Sequence, residues 1–172
     1  MKHNASLPIG WFIGLVVAFF LVIISVFWPV DQHAVSANVA ATVEAAGYSH
    51  AKILFSDTSV KVQIPTTLAK QELGLGGRTS LYDNQGMYWV YDKPIRPAFW
   101  MKGMLIPLDF IWLRSGQVTQ IVSNVAAPAD PTSTNVPLIE PDQPIDGVLE
   151  VPAGFAQRHG VQVGDVVSVD LE

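Results

Sequence analysis

Between Lys2 and Asp31 the chain carries no formal charge, and 18 of the 22 residues from Ile9 to Val30 are apolar. A helix over this run would be about 33 Å long at about 1.5 Å per residue, enough to cross a hydrocarbon core of roughly 30 Å. Trp11 and Trp28 stand near its two ends, where interfacial aromatic residues sit. Pro29 cannot continue a helix interior and marks the exit. A buried core helix would need a polar face, and this run has none. A cleaved leader would fit the small residues Val35-Ser36-Ala37, with the cut after Ala37. Its apolar centre, however, is usually about 7–15 residues, shorter than this run. The run therefore reads as an uncleaved single-pass anchor. Lys2 before it and Asp31 after it predict a cytoplasmic N-terminus and an exported remainder, with secretion after cleavage as the alternative. The organisation that follows is a short cytoplasmic tail over 1–8, a transmembrane anchor over 9–30, a spacer over 31–51 and a globular domain over 52–172.

That division accounts for a composition of 49% hydrophobic against 15% charged residues in a chain of 172. From Asp31 onward there are nine basic and fifteen acidic residues, the balance of a mildly acidic domain. A net charge of −5 argues against a nucleic-acid partner. The absence of cysteine removes disulfides, thiolate metal sites, cysteine nucleophiles and lipid attachment through an N-terminal cysteine. The stretch from Asp31 to Ala51 contains seven alanines and no sustained apolar face, which suits a spacer.

Beyond the spacer the patterning has mostly a period of two. Lys52–Phe55 and Val60–Ile64 flank the turn composition Asp57-Thr58-Ser59, with Val60, Val62 and Ile64 on one face. Thr67–Leu73 reads as a short helix stopped by Gly74. Met87–Tyr91 is an aromatic-rich strand. Leu108–Leu113 and Gln117–Ser123 flank Arg114-Ser115-Gly116, which predicts a three-residue hairpin loop. Five prolines between Ala126 and Gly147 predict a long irregular loop. Val148–Val151 is a strand, Pro152 opens a helix of at most two turns capped by Gly160, and Val166–Leu171 is the last strand. The fold class predicted is mainly β: a small antiparallel sandwich or barrel-like domain with two short helices, preceded by one transmembrane helix.

Four ordered motifs run through this domain. They are Phe99-Trp100-Met101-Lys102, Ile106-Pro107-Leu108-Asp109-Phe110-Ile111, Val148-Leu149-Glu150-Val151-Pro152-Ala153-Gly154, and His159-Gly160-Val161 followed by Gly164-Asp165-Val166-Val167. Together they resemble the bacterial and archaeal family called domain of unknown function 192, over nearly all of the globular part. The resemblance implies a small exported or membrane-attached domain of mainly β structure, and it brings no established reaction or ligand. Two departures stand out. Gly74-Leu75-Gly76-Gly77-Arg78 lacks the methionine of the family's Gly-Leu-Met-x-Arg stretch, and Gly103 replaces an asparagine. If those positions line a pocket, it is smaller and less polar than usual.

The candidate binding residues are Trp100, Lys102, Asp109, Glu150 and Arg78. An aromatic face, a donor and a carboxylate suit a small polar ligand or an extended peptide. The competing reading puts Trp100 and Met101 in the core and pairs Lys102 with Asp109. Glu150 lies between apolar neighbours, so its carboxylate must face solvent or find a cation, for which Arg78 is a candidate through bidentate pairing. Glu140, Asp142 and Asp146 sit in the proline-rich loop without EF-hand spacing and read as solvated. The four histidines form no metal-ligand pattern, and His159 suits the carbonyls at its helix end. No nucleophile elbow occurs. No metal, no cofactor and no catalytic set are expected. The reading is a non-catalytic, membrane-anchored module of the cell envelope that binds a small molecule, a peptide or an envelope protein. Two alternatives stay open: an envelope hydrolase using Asp109 and Glu150, and a purely structural domain.

Overall fold

The structure, a computed structural model, describes residues 47–172. The tail, the anchor and the spacer up to residue 46 lie outside the described residues. No helix among the described residues is long and apolar enough to cross a membrane.

The domain begins with a hairpin of β1 (Tyr48–Leu54) and β2 (Ser59–Pro65), closed by a 2.9 Å hydrogen bond from Phe55 N to Thr58 O. The strand β1 thus starts four residues before the expected domain boundary at Lys52. Alternation works as the sequence predicts: Ala51, Ile53, Val60 and Val62 are buried while Lys61 faces out. Helix α1 (Leu68–Leu73) follows, with the Thr67 hydroxyl accepting from Lys70 N and Gly74 N donating to Lys70 O. It buries none of its own residues.

The crossover through α1 brings β3 (Gln85–Ile95) parallel to β2 over Lys61–Gln63, a pairing that a tight turn could not produce. After the two-residue β4 (Phe99–Trp100) come β5 (Leu108–Arg114) and β6 (Gln117–Val125), joined by Ser115 and Gly116 with φ 51° and 73°. Arg114 pairs with Gln117, so the loop has two residues rather than the three expected. Two adjacent positive φ values are what a type I′ hairpin turn demands. The proline-rich loop contains β7 (Leu138–Ile139), which pairs with β4. Strand β8 (Ile145–Pro152) absorbs Pro152, so α2 (Phe155–Arg158) starts only after the left-handed Gly154. The chain ends in β9 (Ser168–Leu171).

The main sheet has seven strands in the order β6-β5-β8-β3-β2-β1-β9, antiparallel except at β2–β3. Val166, expected within the last strand, instead bridges Gln117 at the start of β6. Backbone bonds of 2.8 Å from Val118 N to Asp165 O and from Val167 N to Gly116 O tie the two sheet edges together at that end. The domain is therefore mainly β with two short helices. Its sheet has a core on each side. One contains Ile53, Val60, Ile111, Leu149 and Phe155, covered by α2; the other contains Met87, Met101, Phe110, Trp112 and Val148. Strand β5, between β6 and β8, is buried from Leu108 to Leu113 because both of its faces are covered.

Candidate functional site

The sheet register decides where the two acidic candidates point. Phe110 of β5 pairs with Glu150 of β8, and Asp109 pairs with Val151. Side chains alternate across a strand, so Asp109 lies on the Phe155 side and Glu150 on the Trp112 side. Asp109 is completely buried. One of its oxygens accepts from Asn124 N at 2.8 Å and Gly154 N at 2.9 Å, and the other from Ala156 N at 3.0 Å. Asn124 and Gly154 both take left-handed backbone conformations, with φ 57° and 77°. The carboxylate is thus a clasp joining the end of β6 to the first turn of α2. It forms no ion pair with Lys102 and shares no site with Glu150, which separates the two carboxylates of the hydrolase alternative.

Glu150 is only 5% exposed, yet no hydrogen bond of ordinary geometry reaches its carboxylate among the described residues. It stands at the floor of a cleft of about 260 Å³ between α1, β3 and β4. Burial pushes its pKa up to about 7, and the nearby Trp89 indole N–H and the Arg78 charge offset only part of that cost. The Trp89 indole nitrogen beside it is buried and makes no hydrogen bond of ordinary geometry. The Tyr91 hydroxyl, also lining the cleft, is pushed up to about 12 by burial and then by the charge of Glu150. The floor therefore combines a nearly buried carboxylate with a single loosely engaged indole donor, a combination expected where a ligand supplies further partners.

Aromatic residues build the walls. Phe99 packs edge-on against Trp89 with ring centroids 5.1 Å apart and planes at 84°. Its other sides meet Phe110 at 5.8 Å and Trp112 at 5.7 Å, which fixes the ring against the core. The next residue, Trp100, is 51% exposed at the cleft mouth, and Met101 turns inward to 4%. Lys102 is exposed and lines the same mouth, as do Gln71 and Glu72 of α1. The second carboxylate of this cleft is therefore Glu72 and not Asp109.

Trp100, Lys102 and Glu150 are thus brought together around one cleft, and Asp109 and Arg78 are not part of its lining. The Arg78 guanidinium donates to the Gln63 side chain in a neighbouring depression, and only its field reaches Glu150. Trp89, Tyr91 and Phe99 line the cleft without being singled out by the sequence as binding residues. The alternation Met87, Trp89, Tyr91 was visible, but only the pairing of Met87 with Glu150 shows that this face meets the acid. Neither Gly76 nor Gly103 lines the cleft. A Cβ at Gly76 would stand 2.8 Å from the Leu73 carbonyl oxygen, so the glycine there belongs to a tight turn.

The remaining polar candidates have structural partners. The Asp146 carboxylate accepts from Ser115 N and ties β8 to the β5–β6 turn. His159 does not turn to the helix carbonyls; its ring meets the Asp83 carboxylate and packs 4.5 Å from Phe155. Asp83 also accepts from Arg158, and these two partners, His159 first, hold its carboxyl below the usual range. No group of three or more potential metal ligands occurs among the described residues.

Comparison with known proteins places this geometry. None of the curated proteins matches the chain. Among solved structures, a protein from Sinorhizobium meliloti 1021, provisionally described as a transcription regulator, is 25% identical. It matches with a TM-score of 0.60 over 71% of this chain and 93% of its own. A protein of unknown function from Novosphingobium aromaticivorans DSM 12444 is 29% identical, with a TM-score of 0.59 over 70% of this chain and 84% of its own. Residues 51–169 match the family described as Uncharacterized ACR, domain of unknown function 192. That match spans both cores, the Asp109 clasp and the Glu150 cleft, and the chain belongs to this family.

Proposed function

We propose that the protein is a membrane-anchored, exported binding module that captures a ligand in the Glu150 cleft without transforming it. The observation that carries this reading is a nearly buried carboxylate that has no ion pair among the described residues and only the loosely placed Trp89 indole N–H as a donor, set beneath an open cleft walled by aromatic rings. A carboxylate buried for stability alone would be expected to have donors, as Asp109 has. The uncharged apolar run Ile9–Val30 supports the anchor, and Lys2 and Asp31 support export of the domain. The net charge of −5 weighs against carrying over the regulator label of the Sinorhizobium protein as DNA binding.

The test is a thermal-shift screen of the full-length chain in neutral detergent against amines, sugars, nucleotides, metals and short peptides. A ligand of the cleft raises the melting temperature of the wild type and not that of Trp100→Ala. A silent screen, or a hit indifferent to Trp100→Ala, overturns the cleft as the binding site. Alkaline carbonate washing of membranes tests the anchor separately: the protein should stay in the pellet, and its release would overturn the anchor.

A further inference from the structure

The cleft floor holds one group that can carry charge, and the chain supplies that group with no direct counterion. Glu150 has no ion pair among the described residues. Arg78 acts on it from a neighbouring depression while bonded to Gln63, and Lys102 stands exposed at the mouth. Ionising a buried carboxylate in such a place is costly until a cation arrives. The walls favour the same guest. Trp89, Tyr91, Phe99 and Trp100 line the cleft, and aromatic faces attract cations through their quadrupole, most strongly for indole. An anionic guest would meet Glu150 and Glu72 with only Lys102 to offset them. A cleft of about 260 Å³ accommodates a short organic group, not a polymer segment.

Building on the cleft reading, we infer that the guest is an organic cation: an alkylammonium or guanidinium head whose charge pairs with Glu150 between the aromatic walls. It arrives either as a free amine or as a basic side chain on a peptide. The titratable and charged groups facing Glu150 are Tyr91 from β3, Glu72 from α1, Lys102 beyond β4 and, from outside the cleft, Arg78. Tyr91 is pushed too high to ionise near neutrality, so the proton displaced by the guest is the one on Glu150.

Isothermal titration of the full-length chain in neutral detergent tests this with n-butylammonium, with the capped peptide acetyl-Ala-Lys-Ala-amide, and with neutral 1-butanol. At pH 8 at least one cation should bind tenfold or more tightly than the alcohol. Which cation binds better assigns the source. Its affinity should fall about thirtyfold between pH 8 and pH 5.5 as Glu150 takes up its proton. Glu150→Gln should lose at least tenfold in cation affinity and all of that pH dependence. Its melting temperature at pH 8, at or above that of the wild type, verifies that it folds. Butanol binding as tightly as the cations, and lost in Trp100→Ala, overturns the cation and leaves the cleft. A cation that binds Glu150→Gln as well as wild type also overturns it. Silence of all three probes overturns it too, whereas the cleft reading falls only if the wider thermal-shift screen is silent or its hits are indifferent to Trp100→Ala.

Discussion

On one face of the sheet Asp109 gives its two oxygens to three backbone N–H groups, and on the other Glu150 gives its own to none of ordinary geometry. The two residues belong to neighbouring strands, one register step apart, and both are almost sealed from solvent. The difference lies in what their surroundings contain. Left-handed backbone at Asn124 and Gly154 accompanies amides aimed at Asp109, so its charge is solvated by the fold itself. Around Glu150 there are side chains with rings, one loosely placed indole N–H and an opening. Burial by itself thus says little about a carboxylate's role; the supply of donors distinguishes a scaffold acid from one held for a guest.

The contrast is easiest to break with Asp109→Ala. It strands three amides at the start of α2 and the end of β6, and should cost about 3–5 kcal/mol in urea unfolding. A cost under about 1 kcal/mol would mean that the clasp is dispensable. Glu150→Gln should move stability the other way, by about 3 kcal/mol at pH 8. The sign follows from proton binding. The folded pKa of about 7 lies above the usual 4.5, so the folded protein binds more protons in between. Wild-type stability should be full below about pH 4.5, decline as the pH rises to about 7 and stay level above that. The variant should lack this decline and meet the wild type near pH 4 in a series of urea titrations. A flat wild-type profile would show that Glu150 is solvated after all.

Smaller effects sharpen the boundary between the two faces. Asp83→Asn removes the exposed link to Arg158 and His159 and should cost no more than about 1 kcal/mol, since solvent screens such pairs. Trp100→Ala should change unfolding free energy by no more than about 0.5 kcal/mol while abolishing ligand-induced thermal shifts. Half-exposed and beyond the main sheet, this ring has more to do at the mouth than in the core.

Local chemistry was readable along the chain wherever neighbours in sequence decide it. Thr67 and Gly74 bracket α1, Asp57-Thr58-Ser59 marks the first turn, and alternation along Val60–Ile64 places the inner face. The motifs around Trp100, Asp109 and Glu150 led to the family that residues 51–169 match. What could not be read depends on partners far away. The register of β5 against β8 puts Asp109 and Glu150 on opposite faces, and no spacing between them carries that information. The exposure of Trp100 depends on a two-residue strand pairing with β7, inside a loop whose prolines conceal it. The diversion of Val166 from the last strand follows from the sheet edges meeting, a property of the closed arrangement. The hairpin loop is one residue shorter than its composition suggests because Ser115, like glycine, accepts a positive φ here.

The buried indole nitrogen of Trp89 has an optical consequence. Indole emission shifts and dims with the polarity, charge and hydrogen bonding around the ring, and Trp89 shares its pocket floor with Glu150, a buried group that titrates near neutrality. Trp112, fully buried on the same side, supplies a constant background, while Trp100 responds at the mouth. The domain thus contains its own fluorescent reporter of proton loss and of occupancy, readable without a label.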